Sequence, residues 1–146
     1  TSLEIVRKQG ISFSLNNIIG LPDETPELAM DTIELNRSIK GFEDSSCSIF
    51  QPYYGTPLRN LCVEKGYINP DLICPHNASD SLLDMPCFPK ERISGLARTF
   101  SLYIRLPKER WDEIKIAEQF TEEGNQMFDK LSKEVLEKFF VPESDI

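Results

Sequence analysis

The sequence predicts an α/β fold, a partial (βα) barrel segment with parallel strands followed by a helical C-terminal extension. Two observations carry that prediction. One plan, strand, turn, Thr-Pro, helix, Gly, aromatic, occurs twice within residues 1–67. From Pro89 onward the apolar residues recur at helical spacing.

In the first unit, Ile11-Ser-Phe-Ser-Leu-Asn-Asn-Ile-Ile19 alternates and then runs apolar, as a mostly buried strand does. Gly20 ends it and Leu21-Pro22-Asp23-Glu24 turns the chain. Thr25-Pro26 opens a helix, with Thr as N-cap, Pro at the first helical position and Glu27 near the positive end of the dipole. Leu28, Thr32, Leu35 and Ile39 are expected to face the sheet, and Gly41 to stop the helix. In the second unit Ser46–Gln51 is the strand, Pro52-Tyr-Tyr-Gly55 the turn and Thr56-Pro57 the helix start. Leu58, Leu61 and Cys62 are its expected inner face, and Gly66 its stop. Phe42 and Tyr67 follow the two stopping glycines, so these read as consecutive βα units with parallel strands.

Two such units cannot close a barrel and leave strand edges unpaired. Thr1–Gly10 reads as the end of a helix, so the chain is expected to be an internal piece of a longer polypeptide whose N-terminal part is its partner. Residues 68–88 form an irregular connection with Pro70, Pro75 and Pro86, of the kind that often serves as a lid. Residues 89–146 are the helical extension. One stripe is Ile93, Leu96, Ala97, Phe100 and Tyr103; a second helix follows Pro107 through Trp111, Ile114 and Ala117; a third runs from a Thr121 cap through Phe128, Leu131, Val135 and Phe139. This extension reads as a helical cap packed on the barrel.

With 146 residues, 40% apolar and 27% charged, the chain has the composition of a folded soluble domain. A net charge of -8 disfavours a nucleic-acid surface, which needs clustered Lys and Arg. No apolar run reaches the roughly 18 residues a membrane span requires. Cys47, Cys62, Cys74 and Cys87 are spaced 15, 12 and 13 apart, without the close pairs of metal and redox sites, which fits a reducing cytoplasmic setting. Cys47 and Cys62 read as small core residues; Cys74 and Cys87 flank a loop and are open to bonding or metal binding. His76 is the single histidine, so no His-based triad or multi-His metal site can form within the chain. It reads as a loop residue, with contact to a substrate left open.

The informative stretch is Asn16–Thr25. A strand that ends in Gly and opens a helix offers backbone at its C-terminal end, where α/β folds bind ligands. Gly20 lets backbone approach a flat ring, and Ile18 offers it an apolar contact. Asn16 and Asn17 point to opposite faces, one toward a pocket and the other pinned below. Tyr53 and Tyr54 face substrate or pack beneath the next loop. A Gly-Leu-Pro turn with a Thr-Pro cap also serves folding alone.

Ile18-Ile-Gly-Leu-Pro-Asp-Glu-Thr-Pro-Glu27 resembles the fifth-strand motif of radical S-adenosylmethionine enzymes, and Phe50-Gln-Pro-Tyr-Tyr-Gly-Thr-Pro-Leu58 resembles the segment after their sixth strand. Phe100-Ser-Leu-Tyr-Ile-Arg-Leu-Pro-Lys108 is similar to the end of the branch that often carries a cobalamin-binding domain. The resemblance implies that Ile18 packs on the adenine of S-adenosylmethionine, that Gly20 gives it room and that backbone near Phe50 and Gln51 bonds the adenine edge. Asn16 stands where the family often has Gly, and either narrows the pocket or adds a polar contact; Glu24 stabilises the turn. The cluster-binding C-x-x-x-C-x-x-C triplet is absent from this sequence, so the resemblance implies a cofactor pocket completed elsewhere in the polypeptide and no activity in the chain alone. The implied parent chemistry uses S-adenosylmethionine and a [4Fe–4S] cluster to generate a 5′-deoxyadenosyl radical that acts on a small-molecule substrate, with cobalamin-dependent methyl transfer as a variant. The competing expectations are a relative without cobalamin, acting on tRNA or in a porphyrin pathway, and a non-catalytic α/β module with a partner-binding helical tail.

Overall fold

The computed structural model describes residues 2–75 and 80–139. In chain order the elements are α1 (Ser2–Lys8), β1 (Leu15–Ile19), α2 (Pro26–Ser38), β2 (Ser45–Ile49), α3 (Pro57–Glu64), α4 (Lys90–Arg105), a 3-10 turn (Lys108–Arg110), α5 (Trp111–Ala117) and α6 (Glu122–Phe139). His76 lies outside the described residues.

The repeated plan is present. β1 and β2 pair in parallel with Leu15 opposite Ser45 and Ile19 opposite Ile49. Each following helix is capped alike: Thr25 Oγ1 accepts the Leu28 N–H at 3.4 Å, and Thr56 Oγ1 accepts the Arg59 N–H at 3.2 Å. Both strands are shorter than their apolar runs, because only Leu15–Ile19 and Ser45–Ile49 lie opposite one another.

The inward face of α2 differs from expectation. Leu28 and Leu35 are 52% and 62% exposed, while Ala29, Ile33 and Asn36 are buried. Asn36 decides the rotation of the helix. Its Nδ2 donates to Asn17 Oδ1 at 2.8 Å, and Asn17 Nδ2 donates back to Asn36 Oδ1 at 3.1 Å. Ser45 Oγ donates to the same Asn36 oxygen at 3.0 Å. A polar residue therefore faces inward where an apolar-stripe argument puts it outside. On α3, likewise, Leu58 is 42% exposed and Arg59, with Cys62, is buried. The Arg59 guanidinium donates to the carbonyls of Pro52, Pro70 and Leu72 at 2.8, 2.9 and 2.6 Å and lies 3.6 Å over the Tyr54 ring. A planar, always-charged fork suits such convergence of carbonyls.

Leu83, Met85 and Phe88 are fully buried in the same apolar core as Ile19, Ile33 and Phe100. Of the expected α4 stripe, Ile93, Leu96, Phe100 and Tyr103 are buried and Ala97 is half-buried, and the helix lies against β2 and α2. Arg37 closes the C-terminal end of α4 by donating to the carbonyls of Tyr103, Ile104 and Leu106. Thr121 Oγ1 caps α6 by accepting the Gly124 N–H at 3.1 Å.

The α4–α5 crossing depends on one small residue. A Cβ at Gly95 would sit 2.5 Å from the Glu118 carbonyl oxygen, which is backbone and cannot swing away. Gly95→Ala is therefore expected to lower stability by about 1–3 kcal/mol, read as a shift of the urea midpoint at unchanged slope; an unshifted midpoint would show that α5 can move off α4 freely.

Candidate functional site

β1 ends where Gly20 takes φ +78°, and the turn that follows is held by two carboxylates. Glu24 Oε2 accepts the N–H groups of Gly20 and Leu21 at 2.5 and 3.2 Å, in line with its expected turn-stabilising role. Burial pushes the Glu24 carboxyl up, and these two N–H donors offset part of that. Asp23, at φ +64°, is the residue other than glycine in the left-handed region among those described. Its carboxylate accepts from Lys65 Nζ at 2.5 Å and Tyr67 Oη at 2.7 Å, tying the turn after β1 to the end of α3. Hydrogen bonds from Lys65 and then Tyr67 hold Asp23 below the usual carboxylate range.

Two constraints within the fold require glycine at position 20. Its φ disfavours a side chain, and a Cβ there would meet Ile93 Cγ2 of α4 at 2.9 Å.

The expected site residues divide between the faces of the sheet. Asn17 and Ile19 look down on α2 and α4; Asn17 is the pinned asparagine and Ile19 is fully buried. Asn16 and Ile18 look up, exposed, beside Ser46 and Ser48 of β2. Ile18 is 55% exposed, and Asn16 Oδ1 accepts the Ser46 hydroxyl at 2.7 Å. At the adjoining strand end, the Phe50 N–H donates to the Ile19 carbonyl at 2.8 Å, and the Gln51 carbonyl accepts the Tyr53 N–H at 3.0 Å. The Phe50 amide is thus already used, which leaves carbonyl oxygens and the Gln51 side chain for any further edge. Gln51 Nε2 donates to the Asp80 carbonyl at 3.3 Å, while its Oε1 is buried with no partner among the described residues. Parallel pairing therefore brings Asn16, Ile18, Phe50 and Gln51 to one end of the sheet. Tyr53 and Tyr54 are half exposed just beyond, and Tyr54 Oη donates to the Pro70 carbonyl at 3.0 Å.

Sequence reasoning missed Ser46 and Ser48, although the alternation that selects Asn16 and Ile18 selects them once β2 is in register. The Asp23–Lys65–Tyr67 tie had no signal. A separate groove of about 680 Å³, lined by Arg92, Lys115, Glu118 and Phe120 among others, lies on the α4–α5 side, away from these residues.

An iron–sulfur cluster does not fit: among the described residues no three His, Cys, Asp or Glu converge as metal ligands. Cys62 is buried in the core, and burial pushes the Cys47 thiol up to about 12. Cys74 and Cys87 donate to the carbonyls of Pro52 and Glu24 at 3.0 and 3.5 Å. An adenosyl group fits better, since Ile18 offers an open apolar contact and Gln51 Oε1 an unmet acceptor. Among the described residues no helix is long and apolar enough to cross a membrane.

The chain is 46% identical over 61 residues to a tRNA-2-methylthio-N(6)-dimethylallyladenosine synthase of Chromohalobacter salexigens. The matched stretch is 40% of this chain and 13% of that protein, so the chain spans a small part of the curated relative it matches. No family model matches the chain. No solved structure matches it. The partial match supports the radical S-adenosylmethionine superfamily broadly.

Glu24→Ala is expected to cost about 1–3 kcal/mol by leaving two turn N–H groups unpaired, whereas Glu24→Gln keeps an acceptor in place. Because burial raises the folded carboxyl above its ordinary value near 4.5, Glu24 favours the fold below that value. That contribution is lost as pH rises through the raised folded value. Denaturation of wild type and Glu24→Gln across pH 4–7 should show wild type gaining relative stability toward acid; the opposite slope would contradict the assignment.

Proposed function

We propose that this chain is the C-terminal part of a radical S-adenosylmethionine iron–sulfur enzyme and supplies one wall of its adenosyl pocket. The observation that carries the proposal is the parallel pairing that sets the Gly20 turn beside Phe50 and Gln51. Two motifs about 30 residues apart in sequence thereby line one strand end, the position at which parallel α/β sheets bind ligands. The partial match to the synthase supports the same superfamily.

In this reading Ile18 packs on the adenine, Gln51 Oε1 accepts from its amino group, Asn16 lies deeper on the same face, and Glu24 with Asp23 holds the Gly20 turn in shape. When bound to its cluster, S-adenosylmethionine supplies the radical chemistry. The cluster ligands lie elsewhere in the polypeptide, since among the described residues no set of cysteines converges to hold them. In this reading other parts of the parent polypeptide cover the open edges of β1 and β2 and the exposed Leu28 and Leu35 of α2. Of the two catalytic branches, the relative's name favours tRNA modification over cobalamin-dependent methyl transfer. A chain with net charge -8 leaves the contacts to RNA phosphates to other parts of the protein. Reduced, separate thiols fit a cytoplasmic enzyme.

The test is anaerobic expression of the longer protein, with iron content and electron paramagnetic resonance after reduction. A four-iron cluster signal is expected; iron-free protein would overturn the reading. Ile18→Asp, which sets a carboxylate against the ring, is expected to weaken S-adenosylmethionine binding at least about tenfold by calorimetry. Unchanged affinity would remove Ile18 from the pocket.

A further inference from the structure

The open face of the sheet carries a feature that the adenine contact at Ile18 does not use. Three of its four side chains, Asn16, Ser46 and Ser48, are neutral and polar. Barrel interiors are ordinarily packed with branched apolar side chains. Once covered, polar groups in such a place must find hydrogen-bond partners.

The arrangement is directional. Asn16 and Ser46 are opposite one another in the parallel register, and Ser46 Oγ donates to Asn16 Oδ1 at 2.7 Å. That bond occupies the acceptor end of the Asn16 amide and turns its Nδ2 away from Ser46. An amide so held offers two N–H donors and is selective for an acceptor. The lower face shows what happens to the neighbouring asparagine when the fold itself uses it. Asn17 Nδ2 is taken up by Asn36 Oδ1, Ser45 Oγ and the Ser46 carbonyl at 3.1, 3.2 and 3.0 Å. Among the described residues Asn16 makes no such set of contacts.

We propose that Ser46 is a positioning residue: it orients the Asn16 amide so that Nδ2 donates to an acceptor oxygen or ring nitrogen of the adenosyl group. The inference rests on the function proposed above and adds a polar contact to it. The ligand chemistry is that of an uncharged acceptor, because no charged side chain stands among the four on this face. Ser46 acts through Asn16 and does not itself touch the ligand.

The test uses the longer protein, anaerobic and cluster-loaded, titrated with S-adenosylmethionine by calorimetry. Ser46→Ala, an exposed strand substitution, should leave the thermal midpoint in place and weaken affinity about threefold to tenfold, the worth of one hydrogen bond. Asn16→Gly should weaken affinity at least as much. In the Asn16→Gly background, Ser46→Ala should have no further effect, because the residue it positions is gone. A merely structural Ser46 would move the midpoint, or would act equally in both backgrounds, and either result would overturn the inference. Ser46→Thr, which keeps the hydroxyl, should restore near wild-type affinity. If wild type binds S-adenosylmethionine and Ser46→Ala binds it equally well, the positioning role fails while the function stands. If wild type does not bind it at all, both fall.

Discussion

The reciprocal amide pair between Asn17 and Asn36 determines which face of the sheet is covered and which is open. Two amides bonded to each other at 2.8 and 3.1 Å, with the Ser45 hydroxyl joining at 3.0 Å, form a buried polar network. Such a network is stable only when its members have partners, so α2 can rotate or slide little without stranding one of them. That fixes Ala29 and Ile33 against the core and sends Leu28 and Leu35 outward. It also sets the parity of β1. With Asn17 down, Asn16 and Ile18 must be up.

The site follows from that parity together with the two capped turns. Glu24 gathers the Gly20 and Leu21 N–H groups, and α4 presses Ile93 against Gly20 from beneath. Asp23 reaches across to Lys65 and Tyr67, so the loop of the first unit is registered against the helix end of the second. Arg59 does similar work on the other turn, drawing the carbonyls of Pro52, Pro70 and Leu72 around one guanidinium. The exposed ends of the strands are therefore held in shape by contacts that lie below and beside them.

Local rules were enough to read the two Thr-Pro caps, the parallel units, the α4 stripe and the opposite facing of the two asparagines. Each depends on chemistry within a few residues. The rotation of α2 was not legible, because Asn36 faces inward only through a residue 19 positions away. Arg59 was missed for a related reason: its burial is justified by carbonyls on a segment that follows its own helix. At the site, Ile18 and Gln51 were singled out by motif. Ser46 needed the pairing register, and the tie from Asp23 to Lys65 and Tyr67 spans more than 40 residues. In residues 68–88 the sequence shows mainly prolines and polar residues, and the burial of Leu83, Met85 and Phe88, which anchors the later part in the core, depends on contacts distant in sequence.

The most direct test of the central claim, that the open face of this sheet is a wall of an adenosyl pocket, is an anaerobic crystal structure of the longer protein with S-adenosylmethionine bound. The account requires the adenine ring in van der Waals contact with Ile18, within about 4 Å, and the Gln51 side chain at its edge. An adenosyl group seated elsewhere, with Asn16 and Ile18 covered by apolar side chains of the same polypeptide, would contradict it.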